Sequence, residues 1–367
     1  MNLRTSDFLL TRFAHHMPGA LKLLGDMETD LLRERLHGVA LDRPVLIAGL
    51  ARSGSTILLN QFSSLSRVGT HQYRDFPFLF VPYLWNQFQN RLAHAEAPVE
   101  RPHQDRITIT KNSPEAFEEP IWMHFFPFVH EPHAHHLLTA VNSNAGFDKL
   151  YREHLRKILL VRGGQRYVSK GNYNVARLQY IGNLLPDARF VIPIRHPLSH
   201  VSSLVRQHRL FNQYGEKDKR VAEYMRNAGH YEFGPQRAPI NLDRHNPSRI
   251  LDAWAKGDDA LGYAVMWHSV YAHVHRLARS GPLAGRIAVV HYENFCSEPA
   301  SELARLFEFC ELDEGVAALL HRLPDISMPA ADLKHLDEAQ RARVWEETAD
   351  VARAFGYDPD WTSRVAT

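Results

Sequence analysis

The chain has 367 residues, 44% of them hydrophobic and 23% charged, with a formal net charge of +2, a balance that excludes a protein living on nucleic acid. Two cysteines, Cys296 and Cys310, are too few for a disulfide framework and lack metal-ligand spacing. No run reaches the roughly 18 apolar residues of a membrane span, and "MNLRTSDFLLTRFAHH" lacks a secretory signal's apolar run, so a cytoplasmic location is expected.

In chain order, residues 1–42 read as amphipathic helix ending near "LDRP". "PVLIAGL" (44–50) is a continuous apolar run ending in glycine, as in a parallel strand buried on both faces. "STILLNQFSSL" then reads as a helix, making 44–65 a strand, a Gly/Ser loop and a helix. The unit recurs with the strand "RYVSK" (166–170) and the helix "NVARLQYIGNLL" (174–185), which gathers Val175, Leu178, Ile181 and Leu185 on one face. "RFVIPI" (189–194) is the next strand, with an irregular end expected at Pro193, because proline removes a ladder hydrogen bond. Pro197 opens the helix "PLSHVSSLVRQHRLF" (197–211). Residues 212–260 are polar and rich in Gly and Pro, and read as an insertion or lid. "RIAVVHY" (286–292) and "PASELARLFEFC" (299–310) are the last strand and its helix, and 337–359 is a terminal helix capped by Asp337 and stopped by Gly356.

Four apolar strands alternating with helices predict an α/β, three-layer P-loop-like fold, a central parallel sheet flanked by helices with a largely helical insertion or lid. One domain over 1–367 is expected, with a nucleotide-binding core at 44–65, 166–211 and 286–312, insertions at 66–165 and 212–285, and a C-terminal helix at 337–356.

"GLARSGSTILL" (49–59) satisfies the phosphate-loop pattern at Gly49, Gly54 and Thr56, but Ser55 holds the lysine position and the cation, Arg52, comes three residues early. Backbone N–H groups of "RSGST" and the following helix dipole suit an anion. The neighbouring strand "RFVIPI" ends in Arg195 where a triphosphate enzyme places a magnesium-holding carboxylate. Arg195 with Ser203, eight residues on, suits a phosphate monoester instead. Two anion sites at two strand ends imply a ligand carrying phosphate at both ends.

These residues resemble the sulfotransferases that use 3′-phosphoadenosine-5′-phosphosulfate (PAPS). In that family a K/R-S-G-T-T motif holds the 5′-phosphosulfate, matched by Arg52, Ser53, Gly54, Ser55 and Thr56. A strand-end arginine with a serine eight residues on holds the 3′-phosphate, matched by Arg195 and Ser203, and a Tyr-Glu pair after a late strand, with the tyrosine near adenine, is matched by Tyr292 and Glu293. The loop arginine resembles the Golgi tyrosylprotein and bacterial branches. The cytosolic branch's C-terminal R-K-G-x-x-G-D-W-K segment is absent, which leaves Lys334 as a candidate to close the nucleotide site.

The resemblance implies that Arg52 stabilises the leaving group and that Lys170, in "SKGNYN", lies near the sulfuryl group. Asn172 stands where the cytosolic branch has its histidine base, and an amide accepts no proton. Arginine-type members place a carboxylate after the helix that follows the loop, which points to Asp75 in "GTHQYRDFPF", with His71, Glu118 and Glu119 as alternatives. The structural readings are an ion pair or cap for Asp75, a surface pair for Lys170 and core packing for Tyr292. PAPS is the implied co-substrate and PAP, the desulfo nucleotide, the product, with no metal. "HEPHAHH" (130–136) lacks a ligand pattern that would alter this. The aromatic-rich "RDFPFLFVPYLW" and "IWMHFFPFVH" either build core or line an apolar acceptor pocket, so the acceptor is a small molecule, a lipid or a glycan. A homo-oligomer is compatible with all of this. A P-loop kinase and a non-catalytic nucleotide binder are the rival readings.

Overall fold

The computed structural model describes residues 3–91, 97–105, 107–243, 246–312 and 333–359. Its strands are β1 (Val45–Ile47), β2 (Val68–Gly69), β3 (Val99–Glu100), β4 (Thr108–Ile109), β5 (Arg166–Lys170), β6 (Arg189–Ile194) and β7 (Ile287–His291). Five form one parallel sheet in the order β2-β5-β1-β6-β7, and β3 and β4 pair as a separate antiparallel hairpin. The four expected strands are therefore present. β2 adds a fifth at the edge, a two-residue strand too short for any periodicity to show in the sequence.

Alternation along β1 explains its unbroken apolar run. Leu46 packs into one core with the helices Ala145–Arg162, Pro197–Lys217 and Asp259–Arg279. Val45 and Ile47 pack into a second core with Leu58, Leu59 and Phe62 of the helix Ser55–Ser63 and with Leu303, Leu306 and Phe307 of the helix Pro299–Phe309. A sheet covered on both faces has no polar side to advertise. Cys296 and Cys310 are free, buried thiols.

Three expectations change. β6 does not fray at Pro193, which pairs in register with Val290 and stays parallel to β7 up to Ile194. Its ring nitrogen lies on the β1 side, level with Gly49, where β1 has already ended, so no ladder bond is lost. The helix expected at 174–185 is split into a 3-10 turn, Asn172–Ala176, and a short helix, Leu178–Leu184. The 212–285 insertion is largely helical, but it is no loose lid. Val221, Met225, Phe233, Ile240 and Ile250 all join the main core, and Asp259–Arg279 is a central buried helix. The terminal helix Glu338–Ala354 has the expected Asp337 cap, whose side chain accepts from the Gln340 N–H, and Gly356 follows at φ 82°.

Candidate anion-binding site

The Arg52–Thr56 loop, Lys170, Arg195 and Tyr292 sit at the C-terminal ends of the strands, where parallel sheets present their ligands. After β1 the chain turns through two left-handed residues, Arg52 (φ 73°) and Gly54 (φ 100°), into the helix Ser55–Ser63. Gly54 is the N-cap of that helix and offers no side chain to its first N–H groups, which leaves them directed into the turn. The helix Pro197–Lys217 holds the loop from behind, because Nε2 of His200 donates to the Ala51 carbonyl at 2.8 Å. Burial, then the nearby arginines, push that imidazole down to about 3, so it is a neutral donor.

Tyr292 lies directly over the turn. A Cβ added to Gly54 would come within 2.6 Å of the Tyr292 ring, and the Arg195 guanidinium lies 4.9 Å from the centre of the same ring. Gly54→Ala therefore combines a collision with a disfavoured φ and is expected to cost about 1–3 kcal/mol, read as a lower urea midpoint and a weaker affinity for PAP by calorimetry.

Arg52 and Arg195 extend from the ends of adjacent strands, both largely buried and close enough for each charge to act on the other. Arg52 donates through Nε to the Ser203 hydroxyl at 3.3 Å and through Nη1 to Asp105 at 2.7 Å. Arg101 holds the same carboxylate, donating through Nε at 2.9 Å, and reaches the Thr56 hydroxyl through Nη1 at 3.2 Å. Thr56 also accepts from Lys170 Nζ at 2.9 Å, and Lys170 pairs with Glu115 at 2.6 Å. Burial raises the Asp105 and Glu115 carboxyls, but Arg101 and Arg52 in one case, and Lys170 and Arg101 in the other, hold both well below the usual carboxylate range.

Arg52, Ser53, Gly54, Ser55, Thr56, Lys170, Arg195, Ser203 and Tyr292 are thus brought together in one region. Lys170 is buried beside the loop rather than paired at the surface. Glu293 braces the region from below, accepting from the His196 N–H at 2.8 Å and from the Tyr357 hydroxyl at 2.8 Å. The residues that sequence reasoning missed are Arg101, Asp105 and Glu115. The charge-dense "ERPHQD" (100–105) after β3 was the one local signal for Arg101 and Asp105, and Glu115 lies outside it.

Asp75 is corrected. Its carboxylate is fully buried, takes two 2.6 Å bonds from Arg162 and one from Asn86 at 2.7 Å, and caps its own turn through the Gln72 N–H at 2.8 Å. In this setting the carboxylate anchors the Arg162 guanidinium. The alternatives are engaged too. His71 meets His154 between ring nitrogens at 2.9 Å, Glu118 accepts from Tyr151 and Tyr167 at 2.6 Å each, and Glu119 binds Arg177 and His130. Lys334 is exposed in the turn before the C-terminal helix.

Among the described residues no three His, Cys, Asp or Glu side chains form a metal-sized group. His135 and His136 of "HEPHAHH" bond to the carbonyls of Leu242 and Glu131. Both aromatic-rich segments supply core, but Phe76, Phe80, Met123 and His124 also line a cavity of about 250 Å³. No helix among the described residues is long and apolar enough to cross a membrane.

A family model described as "Sulfotransferase family" matches residues 44–253, more than half of the chain. The fold is similar to that of sulfotransferase STF9 from Mycobacterium avium, with a TM-score of 0.51, 13% identity, and coverage of 90% of this chain and 82% of that one. Sulfotransferase STF1 from Mycobacterium tuberculosis H37Rv is 16% identical, with a TM-score of 0.48 and coverage of 89% and 82%. No curated protein matches the sequence.

Proposed function

This chain belongs to the sulfotransferase family, and from that premise we propose that it transfers the sulfuryl group of PAPS to a hydroxyl or amine of a small-molecule, lipid or glycan acceptor. The observation that carries the nucleotide assignment is the pair of largely buried guanidiniums, Arg52 and Arg195, beyond the ends of adjacent strands beside the Gly54–Tyr292 contact. Arg52 and Arg101 share the single carboxylate of Asp105, which leaves positive charge for an anionic ligand. In this reading Arg52, Ser53, Gly54, Ser55 and Thr56 receive the 5′-phosphosulfate, and Arg195 with Ser203 the 3′-phosphate. Tyr292 faces the adenosine. PAPS is a substrate here, PAP the product, and no step uses a metal.

The reaction is an in-line displacement at sulfur. Loop amides and Arg52 stabilise the charge that develops on the departing phosphate, and Lys170, held by Thr56 and Glu115, neutralises the sulfuryl oxygens. The cavity bordered by Phe76 and Phe80 favours an acceptor with an apolar body.

Thermal denaturation tests the nucleotide assignment. PAP is expected to raise the melting temperature without magnesium, whereas ATP with magnesium leaves it unchanged; ligand at 100 times its Kd stabilises by about 2.7 kcal/mol. The reverse ranking would favour a P-loop kinase.

A further inference from the structure

Asn172 follows Lys170 by two residues, at the position where the resemblance puts a histidine. Its Nδ2 donates to Oε1 of Glu232 at 2.7 Å, and Oε2 of Glu232 lies 3.6 Å from Nδ1 of His230. His230 and Glu232 belong to the 212–285 insertion, which also sends Trp267 to the Arg195 carbonyl.

The two segments are fastened together. The Tyr231 N–H donates to the Tyr173 hydroxyl at 2.7 Å, and the Tyr263 hydroxyl donates to the Glu232 carbonyl at 2.9 Å. The Tyr231 ring stacks on His130 at 4.1 Å, and the His230 N–H donates to the Met225 carbonyl at 2.8 Å. The turn after β5 therefore carries Lys170, Asn172 and Tyr173, and the insertion sets His230 and Glu232 against it. The charges facing His230 are Glu232, Glu115 and Lys170, and Lys170 is the group that touches Thr56 of the anion loop.

We propose that His230 is the general base that accepts the acceptor's proton, with Glu232 and Asn172 as the positioning residues that aim its ring. This rests on the sulfotransfer reading above. The His230 side chain is 30% exposed and that of Glu232 10%, so an acceptor can reach the ring while the carboxylate behind it is shielded. Burial pushes the imidazole down, but the Glu232 contact outweighs it and leaves the His230 pKa above its usual value. Glu115 is the rival base by position. Lys170 and Arg101 hold it ionised far below neutrality, which makes it a counter-ion for Lys170 and a poor proton acceptor.

In the step itself the acceptor oxygen forms a bond to sulfur while the bond from sulfur to the 5′-phosphate oxygen breaks. That electron pair stays on PAP. The acceptor's proton passes to Nε2 of His230 and then to solvent, and Glu232 supports the imidazolium through Nδ1.

Radiolabelled PAPS with 2-naphthol or 1-octanol as acceptor, PAP calorimetry and imidazole titration by NMR test this together. His230→Ala is expected to lower kcat by about 10²–10⁴-fold, with the Kd for PAP within twofold of wild type and partial recovery on adding imidazole. Glu232→Gln should move the His230 titration, and the acid limb of the pH–rate profile, to lower pH, with Glu232→Asp in between. A His230→Ala enzyme within threefold of wild-type kcat overturns the base, and an unmoved titration in Glu232→Gln overturns the orienting role even if neither acceptor is turned over. Failure of wild type to bind PAP is a separate result: it removes the nucleotide reading, and the base assignment with it.

Discussion

Arg52→Ala is expected to lower kcat/KM with PAPS by on the order of 10³-fold or more, and to remove most of the stabilisation given by PAP. Two effects combine. One preorganised donor to a developing anion is typically worth about 10²–10³ in kcat, and a charge-assisted hydrogen bond to a bound phosphate adds about 1.5–3 kcal/mol of ground-state affinity. The fold should survive, because Asp105 keeps its bond to Arg101 and the loop keeps its bond to His200. Arg52→Lys restores the charge without the fork that reaches Ser203 and Asp105 together, and should recover only part of the loss. Steady-state kinetics with PAPS and calorimetry with PAP decide it; an Arg52→Ala enzyme within tenfold of wild type removes the loop from phosphate binding.

Arg162→Met should be strongly destabilising, by about 3–5 kcal/mol, because it leaves a buried carboxylate uncompensated. Arg162 donates to both oxygens of Asp75, to the Asn86 side-chain oxygen at 3.1 Å and to the Thr70 carbonyl at 3.1 Å. It thereby ties the end of the helix Ala145–Arg162 to the segment beyond β2. Adding Asp75→Asn to Arg162→Met should recover part of the loss, since the stranded charge is gone, and urea unfolding of the two single variants and the double variant measures the coupling. The pH dependence has a definite sign. Burial raises the Asp75 carboxyl, but His71, Arg162 and Asn86 outweigh it and depress the folded-state pKa below its ordinary value of 3.8. The stabilisation is then complete above that unfolded-state value and is lost only as pH falls toward the depressed one. Arg162→Met should lose this acid-side slope. Asp75→Asn alone is expected to reduce stability first and turnover only as a consequence.

The sheet was legible because a buried parallel strand declares itself. β5 and β6 match "RYVSK" and "RFVIPI" residue for residue, with apolar side chains required on both faces. The helix Ala145–Arg162 was not among the expected elements, although Phe147, Tyr151, Leu155 and Ile158 stand at helical spacing between an Asn144 cap and Gly163 at φ 64°. The phosphate-loop residues could be read because their spacing is set by the backbone turn itself. Arg101, Asp105, His230 and Glu232 could not, since they reach the site across the fold and no local periodicity records which distant turn a side chain will meet. Asp75 shows the converse. Its position after the first helix suited a base, while its partner, Arg162, lies 87 residues away, and that partner decides its chemistry.

Asp105 sits on Arg52 and Arg101 as a built-in counter-ion. In the proposed reaction an incoming phosphosulfate would arrive by exchange, one anion replacing another, with a net affinity set by the difference between two ion pairs. The trade keeps the guanidiniums charged and oriented through every cycle, and it favours release of a spent product as readily as capture of a fresh donor.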